Sequence, residues 1–188
     1  NINIVNAYSS GNGAIFDLSG AHLGNIALDN VTISKGSGKA AICNDDEMAG
    51  GVTVTNSYFY NNTFSSGIFY LGSSNPDNPI DISNSVFINN TGTVSIFEAY
   101  NGGYYNTPAN IHNNIFINNG GTLIKGVSDC TITASGNYWG SNTIPTFAET
   151  TVQNSYTLNV NGPDSFSQDD GADYTISFTG GSGGLPTL

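Results

Sequence analysis

A short asparagine-rich pattern recurs along this chain and constrains the fold more than any other feature. It reads NNIFINN at 113–119, NSVFINN at 84–90 and NSYFYNN at 56–62, with a looser copy at 30–36 and a degenerate one, GNYWGSN, at 136–142. The first residues of successive copies lie 23 to 29 positions apart. A period in this range is typical of a solenoid, in which each repeat is one coil.

The residues around each copy alternate between apolar and polar. Apolar pairs such as Val52 and Val54 or Ile80 and Ile82 precede the copies, and a second apolar run such as 67–71 or 94–97 follows each of the first four. A period of two predicts strands, and no segment has a sustained period of 3.6 residues. We therefore predict an all-β chain that forms a parallel β-helix of about five coils, followed by a C-terminal strand pair.

The asparagines are expected at the corners between strands, where the left-handed conformation is needed. Because coils stack about 4.8 Å apart, equivalent side chains lie above one another. We predict one ladder of the leading residues and a second ladder at the end of each copy, made respectively of Asn30, Asn56, Asn84 and Asn113, and of Asn62, Asn90 and Asn119. Inside the helix we predict a column of Ile33, Phe59, Phe87, Phe116 and Trp139.

If that column points inward, its neighbours on the same strands, Tyr58, Val86 and Ile115 with Tyr60, Ile88 and Ile117, form an outer apolar face. Such a face needs a cover. We expect it from residues 143–160, which include Phe147, Val152, Tyr156, Leu158 and Val160, or from a second subunit or a further module. The alternative is an inverted parity, with the Ile column inside.

A β-sandwich is a less favoured alternative, because sandwich strands do not usually repeat the same residues in the same order at near-constant spacing.

Charge limits the partners of this chain. Its formal net charge is −11, and Lys35, Lys39 and Lys125 are its only lysine or arginine residues. Nucleic acid and anionic membranes are therefore not expected as partners. No apolar run is long enough to cross a bilayer, so we expect no membrane insertion. We interpret the chain as an internal piece of a longer protein.

The Phe-x-x-Asn strings at 59–62, 87–90 and 116–119, with the small-residue-plus-Ile strings at 13–15 and 40–42, resemble the repeats of chlamydial polymorphic outer-membrane proteins. The string at 136–142 is similar to the end of the β-helix in adhesin-like surface proteins of methanogenic archaea. That resemblance implies a right-handed parallel β-helix over 1–142, with 143–188 as a linker and the first strands of an immunoglobulin-like module or cap. It also implies an extracellular, cell-surface location.

Parallel β-helices also include polysaccharide lyases and hydrolases, which need a basic residue or paired carboxylates for catalysis. The chain has no arginine to act as a lyase base, and no second acidic cluster to pair with Asp45, Asp46 and Glu47 for hydrolysis. His112 is expected to be a solvated or hydrogen-bonded strand residue. We therefore predict a non-catalytic adhesin or stalk module that attaches to another cell or to a glycan. The alternative is a fragment of a polysaccharide enzyme whose catalytic coils lie outside this piece.

No cofactor is expected. Asp45, Asp46 and Glu47 are weak calcium candidates, because their spacing matches no known calcium loop, and solvated turns are favoured there.

The tyrosines of the insertion at 100–106 are the candidate ligand-binding residues: Tyr100, Tyr104 and Tyr105. Insertions in a repeat often project onto its binding face, and tyrosines among Asn and Gly suit sugar or protein contacts. The expected partners are the surface of another cell, a protein or a glycan, together with neighbouring domains of the same chain. A loop folded over its own coil is the structural alternative.

Cys43 and Cys130 are expected to be unpaired, with Cys43 in register with Phe69 and Phe97 and Cys130 some three coils further on. Three glycosylation sequons begin at Asn30, Asn61 and Asn89. We assign Asn62 and Asn90 a structural role and leave Asn61 and Asn89 open.

Overall fold

The computed structural model describes residues 1–10, 13–18, 25–44, 51–72, 79–100, 108–128, 130–165 and 171–187. These residues form strands β1 to β20 and no helix, and most of the strands pair in parallel between successive coils. The chain winds as a right-handed parallel β-helix with a C-terminal antiparallel strand pair, so the predicted fold class is confirmed.

Three parallel sheets run along the solenoid, and each coil passes through them in turn. Within the described residues, sheet 1 contains β3 (Ile26–Asp29), β7 (Val52–Thr55), β11 (Ile80–Ser83), β14 (Pro108–His112), β17 (Thr131–Ser135) and β18 (Thr150–Gln153). Sheet 2 contains β1 (Ile2–Val5), β4 (Val31–Ser34), β8 (Tyr58–Tyr60), β12 (Val86–Ile88) and β15 (Ile115–Ile117). Sheet 3 contains β2 (Ala14–Asp17), β6 (Ala40–Asn44), β10 (Phe69–Leu71), β13 (Val94–Ala99) and β16 (Thr122–Lys125).

Two smaller pairings complete the described structure. The short strands β5 (Ser37–Gly38) and β9 (Thr63–Phe64) pair in parallel between sheets 2 and 3. Strands β19 (Tyr156–Asn161) and β20 (Thr175–Gly180) form the antiparallel ribbon that the sequence predicts near the C-terminus.

Asparagine appears at the corners because the chain there takes a positive φ, which Asn tolerates better than most residues with a side chain. Sheet 1 passes into sheet 2 through one such residue in each coil, with φ between 49° and 61°: Asn30, Asn56, Asn84, Asn113 and Gly136. A second corner, at the end of sheet 2, uses Lys35, Asn61, Asn89, Asn118 and Gly140. The heptapeptide NNIFINN thus spans two corners and the short strand between them.

The predicted aromatic column lies inside the solenoid. Phe59, Phe87 and Phe116 are in register and stack at 5.1 Å between ring centroids, and Trp139 follows Phe116 at 4.9 Å. Each of the three phenylalanines is at most 1% exposed. Offset-stacked pairs contribute about 0.5–1.5 kcal/mol each beyond the burial of their area. The alternative with inverted parity is therefore wrong.

The outer face of sheet 2 is apolar and is covered over Val86 and Ile115, as predicted, whereas Tyr58 and Tyr60 are 37% exposed, and the cover differs in part from the expected one. Val86 and Ile115 are 1% exposed and Tyr138 is 7% exposed, in a cluster with Tyr156, Leu158 and Leu185. Phe178 also meets Tyr138, edge to face at 5.0 Å. The other residues expected in the cover lie elsewhere: Phe147 and Val152 pack against the main core, and Val160 is 55% exposed.

A C-terminal segment, residues 181–187, which we call the strap, runs back over this face. A Cβ atom added at Gly136 would lie 2.7 Å from the Ser182 carbonyl oxygen, and the Tyr58 hydroxyl donates to the Thr187 carbonyl at 2.7 Å. These contacts are three coils apart, about 14 Å at 4.8 Å per coil. Five residues of extended chain span about 16 Å, so the strap follows the solenoid axis.

The solenoid continues past the boundary predicted at residue 142. Strand β18 pairs in parallel with β17 along Ile132–Ser135. The next residue, Asn154, has a φ of 50°, and Asn154-Ser155-Tyr156 repeats the sequence of Asn56-Ser57-Tyr58. Residues 154–156 are therefore the start of a further copy of the repeat, which follows the copy at 136–142 at a shorter spacing than the earlier copies show.

Candidate functional site

The outer face of sheet 3 carries acidic, basic, thiol and aromatic residues in one column. Its inward positions are filled by buried apolar side chains, including Ile42, Phe69 and Phe97. Alternation turns the next residue of each strand outward. One outward column consists of Asp17, Cys43, Tyr70, Glu98 and Lys125.

Two tyrosines form the centre of this face. Tyr100 lies just past β13 and meets Tyr70 edge to face, with ring centroids 5.6 Å apart and planes at 71°. Tyr100 also packs over Gly72, where an added Cβ would lie 3.2 Å from the ring. Both tyrosines are half-buried, so each ring is held by the fold and still reaches solvent.

A cation lies beside this pair. Lys39 Nζ is 4.4 Å from the centroid of the Tyr70 ring, within the range of a cation–π contact. We call Lys39, Tyr70 and Tyr100 the tyrosine step. Rigid aromatic rings with a polar rim are suited to contacts with sugar rings or with a protein surface.

An ion pair flanks the tyrosine step. Lys125 Nζ lies 2.5 Å from Glu98 Oε1, with the lysine side chain 49% exposed and the glutamate 15% exposed. Two of the three lysines of the chain thus lie on the outer face of sheet 3 or at its edge. Glu98 is the register partner of Tyr70 in the neighbouring strand, so the ion pair lies on the coils next to that tyrosine.

Several residues predicted for the site lie outside the described residues. These are Tyr104 and Tyr105 of the insertion and the acidic run Asp45, Asp46 and Glu47. Of the predicted ligand-binding tyrosines, the structure places Tyr100 and brings it against Tyr70, which the sequence analysis did not select. Among the described residues, no group of three or more His, Cys, Asp or Glu side chains could hold a metal ion.

His112 lies on the outer face of sheet 1 and is hydrogen-bonded, as predicted. Its Nε2 is 3.1 Å from Asp81 Oδ2 on the preceding coil, and the Asn113 amide lies 3.3 Å from its Nδ1. Because the Asn113 amide is the donor to Nδ1, the Nε2–H donates to Asp81. Both side chains are about one-third exposed, and the pair links two coils because Asp81 and His112 lie in neighbouring strands. The residues aligned with His112 on the adjacent strands are Ser83 and Ser135.

The second predicted asparagine ladder is formed. The Asn62 amide nitrogen donates to the Asn90 side-chain oxygen at 2.9 Å, and Asn90 donates to Asn119 at the same distance. The same three amides donate to the carbonyls of Ile33, Phe59 and Phe87. Each rung therefore ties one coil both to the next and to the preceding strand.

The first predicted ladder is wrong in its side chains, although its members stack in register. Asn56 donates to Asp29 at 2.7 Å, and Asn113 to His112, rather than to one another. Within the described residues, no hydrogen bond joins the side-chain amides of Asn30, Asn56, Asn84 and Asn113 to one another. Their positive φ places the side chains on the outside of the corner, where Asn56 and Asn113 bond to residues of sheet 1.

A ladder is formed instead by the residues that follow Asn56, Asn84, Asn113 and Gly136. The hydroxyl of Ser57 accepts from Val31 N, and that of Ser85 from Ser57 N, both at 3.1 Å. The series continues with the side-chain oxygens of Asn114 and Asn137, at 2.9 Å and 2.8 Å. These serines and asparagines are fully buried. The recurring small polar residue at this position was the signal in the sequence.

Neither Cys43 nor Cys130 is in a disulfide, as predicted, and both are buried. The predicted register of Cys43 is wrong by one residue: Ile42 aligns with Phe69, and Cys43 aligns with Tyr70. Cys43 therefore lies on the outward side of sheet 3, yet it is only 2% exposed.

Comparisons with known proteins give no identity: no family model, curated protein or solved structure matches this chain. Among the described residues there is no helix long and apolar enough to span a bilayer.

Proposed function

We propose that this chain is a non-catalytic module of an extracellular adhesin, in which the solenoid serves as a stalk and the outer face of sheet 3 attaches to a glycan or protein on another cell. The observation that carries the proposal is the tyrosine step. Tyr70 and Tyr100 present two fixed, half-exposed rings, with Lys39 at one of them.

The solenoid supports a role as a rigid spacer. The buried asparagine and serine side chains of its two ladders bond to neighbouring coils rather than to solvent. A stack joined in this way presents its surface residues at fixed heights, about 4.8 Å apart. The Glu98–Lys125 and Asp81–His112 pairs likewise connect coils.

Binding by purified protein to a glycan array and to whole cells tests this proposal. We expect Tyr70→Ala and Tyr100→Ala each to weaken binding at least about tenfold, which corresponds to ~1.4 kcal/mol. Tyr60→Ala is the matched control, because Tyr60 is 37% exposed and lies on the outer face of sheet 2 rather than of sheet 3. Equal binding by all three variants, or release of reducing ends from the bound glycan, would contradict the proposal.

A further inference from the structure

The three sequons of the described chain share one geometry. Each acceptor asparagine lies at an exposed corner with φ between 54° and 57°: Asn30, Asn61 and Asn89. The middle residue of each sequon is 1% exposed, namely Val31, Asn62 and Asn90. The threonine that completes each sequon again faces outward or is half-buried.

The ladder and the acceptor amides are therefore separate. The side chains of Asn62 and Asn90 hold the coils together. Among the residues that the structure describes, the side chains of Asn61 and Asn89 bond only to each other, through an exposed contact of 3.2 Å. The hydroxyls of Thr63 and Thr91 also meet on the surface at 3.2 Å. The Asn30 side chain makes no hydrogen bond within the described residues.

We propose that Asn30, Asn61 and Asn89 are attachment sites for asparagine-linked glycans on the outer corners of the solenoid. In the modification, the Nδ2 atom of the asparagine forms a bond to C1 of an oligosaccharide carried on a polyisoprenyl phosphate. The C1–oxygen bond to phosphate breaks, the lipid phosphate leaves, and the amide loses one proton to a carboxylate of the transferase. The inference rests on the extracellular location in the proposed function.

A glycan at these corners leaves the buried structure intact. Within the described part of the chain, a glycan on these acceptors would disturb only the exposed Asn61–Asn89 hydrogen bond. The Asn62–Asn90–Asn119 ladder is buried or part-buried on the inner side of the corner. Because successive coils are about 4.8 Å apart, Asn61 and Asn89 present neighbouring glycans along one edge, while Asn30 presents one along the other corner.

The experiment is secretion of the chain from a eukaryotic host, followed by peptide mapping after enzymatic release of glycans. We expect modification at Asn30, Asn61 and Asn89, and loss of one glycan in each of Asn30→Gln, Asn61→Gln and Asn89→Gln. The glycosylated and enzymatically deglycosylated proteins should melt within about 2 °C of each other, since a shift of about 4 °C would already signal ~1 kcal/mol.

Gly120→Thr supplies a matched gain of one site. It completes a sequon at Asn118, which is exposed and has a φ of 51°, and an added Cβ at Gly120 would meet Thr91 at an ordinary 3.5 Å. We expect one additional glycan. Absence of glycan from the three native sites, whether or not Asn118 is modified, overturns the inference, as does loss of the folded state on glycosylation. Loss of cell binding with all three sites modified would count against the adhesin proposal alone.

Discussion

The side chains of Asn62 and Asn90 lie one above the other, with the amide nitrogen of Asn62 2.9 Å from the side-chain oxygen of Asn90. Asn90 also accepts from the backbone of Asn62 and donates to the Phe59 carbonyl at 2.9 Å. The Asn90 side chain thus satisfies buried groups on the preceding coil, and it also donates to the Asn119 side chain on the next coil at 2.9 Å. Its neighbour, Asn89, is exposed and makes a single side-chain contact, with Asn61.

Replacing Asn90 with Ala should destabilise the protein by about 1–3 kcal/mol, because buried donors and the Phe59 carbonyl lose their partner. The matched control is Asn89→Gly, which preserves the positive φ and removes only the exposed contact. Urea unfolding of both variants measures the difference. Equal midpoints for the two variants would show that the ladder contributes little.

Phe87→Ala should cost about 3–5 kcal/mol, because the ring is fully buried between two stacked rings and its removal leaves a cavity. Tyr60→Ala, on the outward side of the neighbouring strand and 37% exposed, is expected to cost much less. Thermal unfolding of the two variants provides the measurement. A cost for Phe87→Ala no larger than that of the control would place the column outside the core.

The pattern of identical residues predicted the solenoid, the Phe column and the inner ladder at Asn62, because stacking makes like residues meet. The pattern did not distinguish which residue faces inward where two asparagines are adjacent, as in Asn113-Asn114. That depends on the positive φ of the first one, which turns its side chain outward and leaves the next residue, such as Ser57, inside.

The strap and the tyrosine step could not be predicted from the repeat. Leu185 and Thr187 lie in a glycine-rich tail with no periodicity. Thr187 meets Tyr58 across 129 residues, and Leu185 packs in a cluster with residues of three earlier coils. Tyr70 and Lys39 belong to coils adjacent in space, and their contact depends on the one-residue register of sheet 3.

Leu185→Ser should loosen the strap and expose the apolar outer face of sheet 2. Leu185 is the strap side chain in the cluster with Val86, Ile115 and Tyr138. We expect increased binding of a hydrophobic dye and self-association at high concentration. Ile144→Ser is the control, because Ile144 is already 57% exposed. A variant that stays monomeric, binds no dye and melts with the parent would show that the strap does not protect this face.

Both cysteines should react as free thiols. Cys43 and Cys130 are 2% and 8% exposed, so labelling should be slow in the native state and complete after denaturation. Thiol titration in denaturant should give equal counts with and without reductant. A count of zero without reductant would require a disulfide.

The pKa of Asp29 is lowered from its ordinary value of 3.8 by hydrogen bonds from the side chains of Asn56 and Thr55. Because the folded-state pKa is depressed, the associated stabilisation is present above the unfolded-state pKa and is lost as the pH falls through the folded-state value. An NMR titration should find the Asp29 midpoint below 3.8 and closer to 3.8 in Asn56→Gly. Equal Asp29 midpoints in the parent protein and in Asn56→Gly would contradict the hydrogen bond between Asn56 and Asp29.

The ladders, the Phe column and the rows of corner asparagines all depend on the register between coils, and disulfide trapping tests it most directly. In a background with Cys43 and Cys130 replaced by Ser, Thr63→Cys with Thr91→Cys joins residues that are bridge partners on adjacent coils. Thr63→Cys with Gly120→Cys joins residues two coils apart, about 9.6 Å and beyond the roughly 7 Å limit for a disulfide. We predict that the first pair oxidises readily and the second does not; equal oxidation of both pairs, or of neither, would contradict the stacked register.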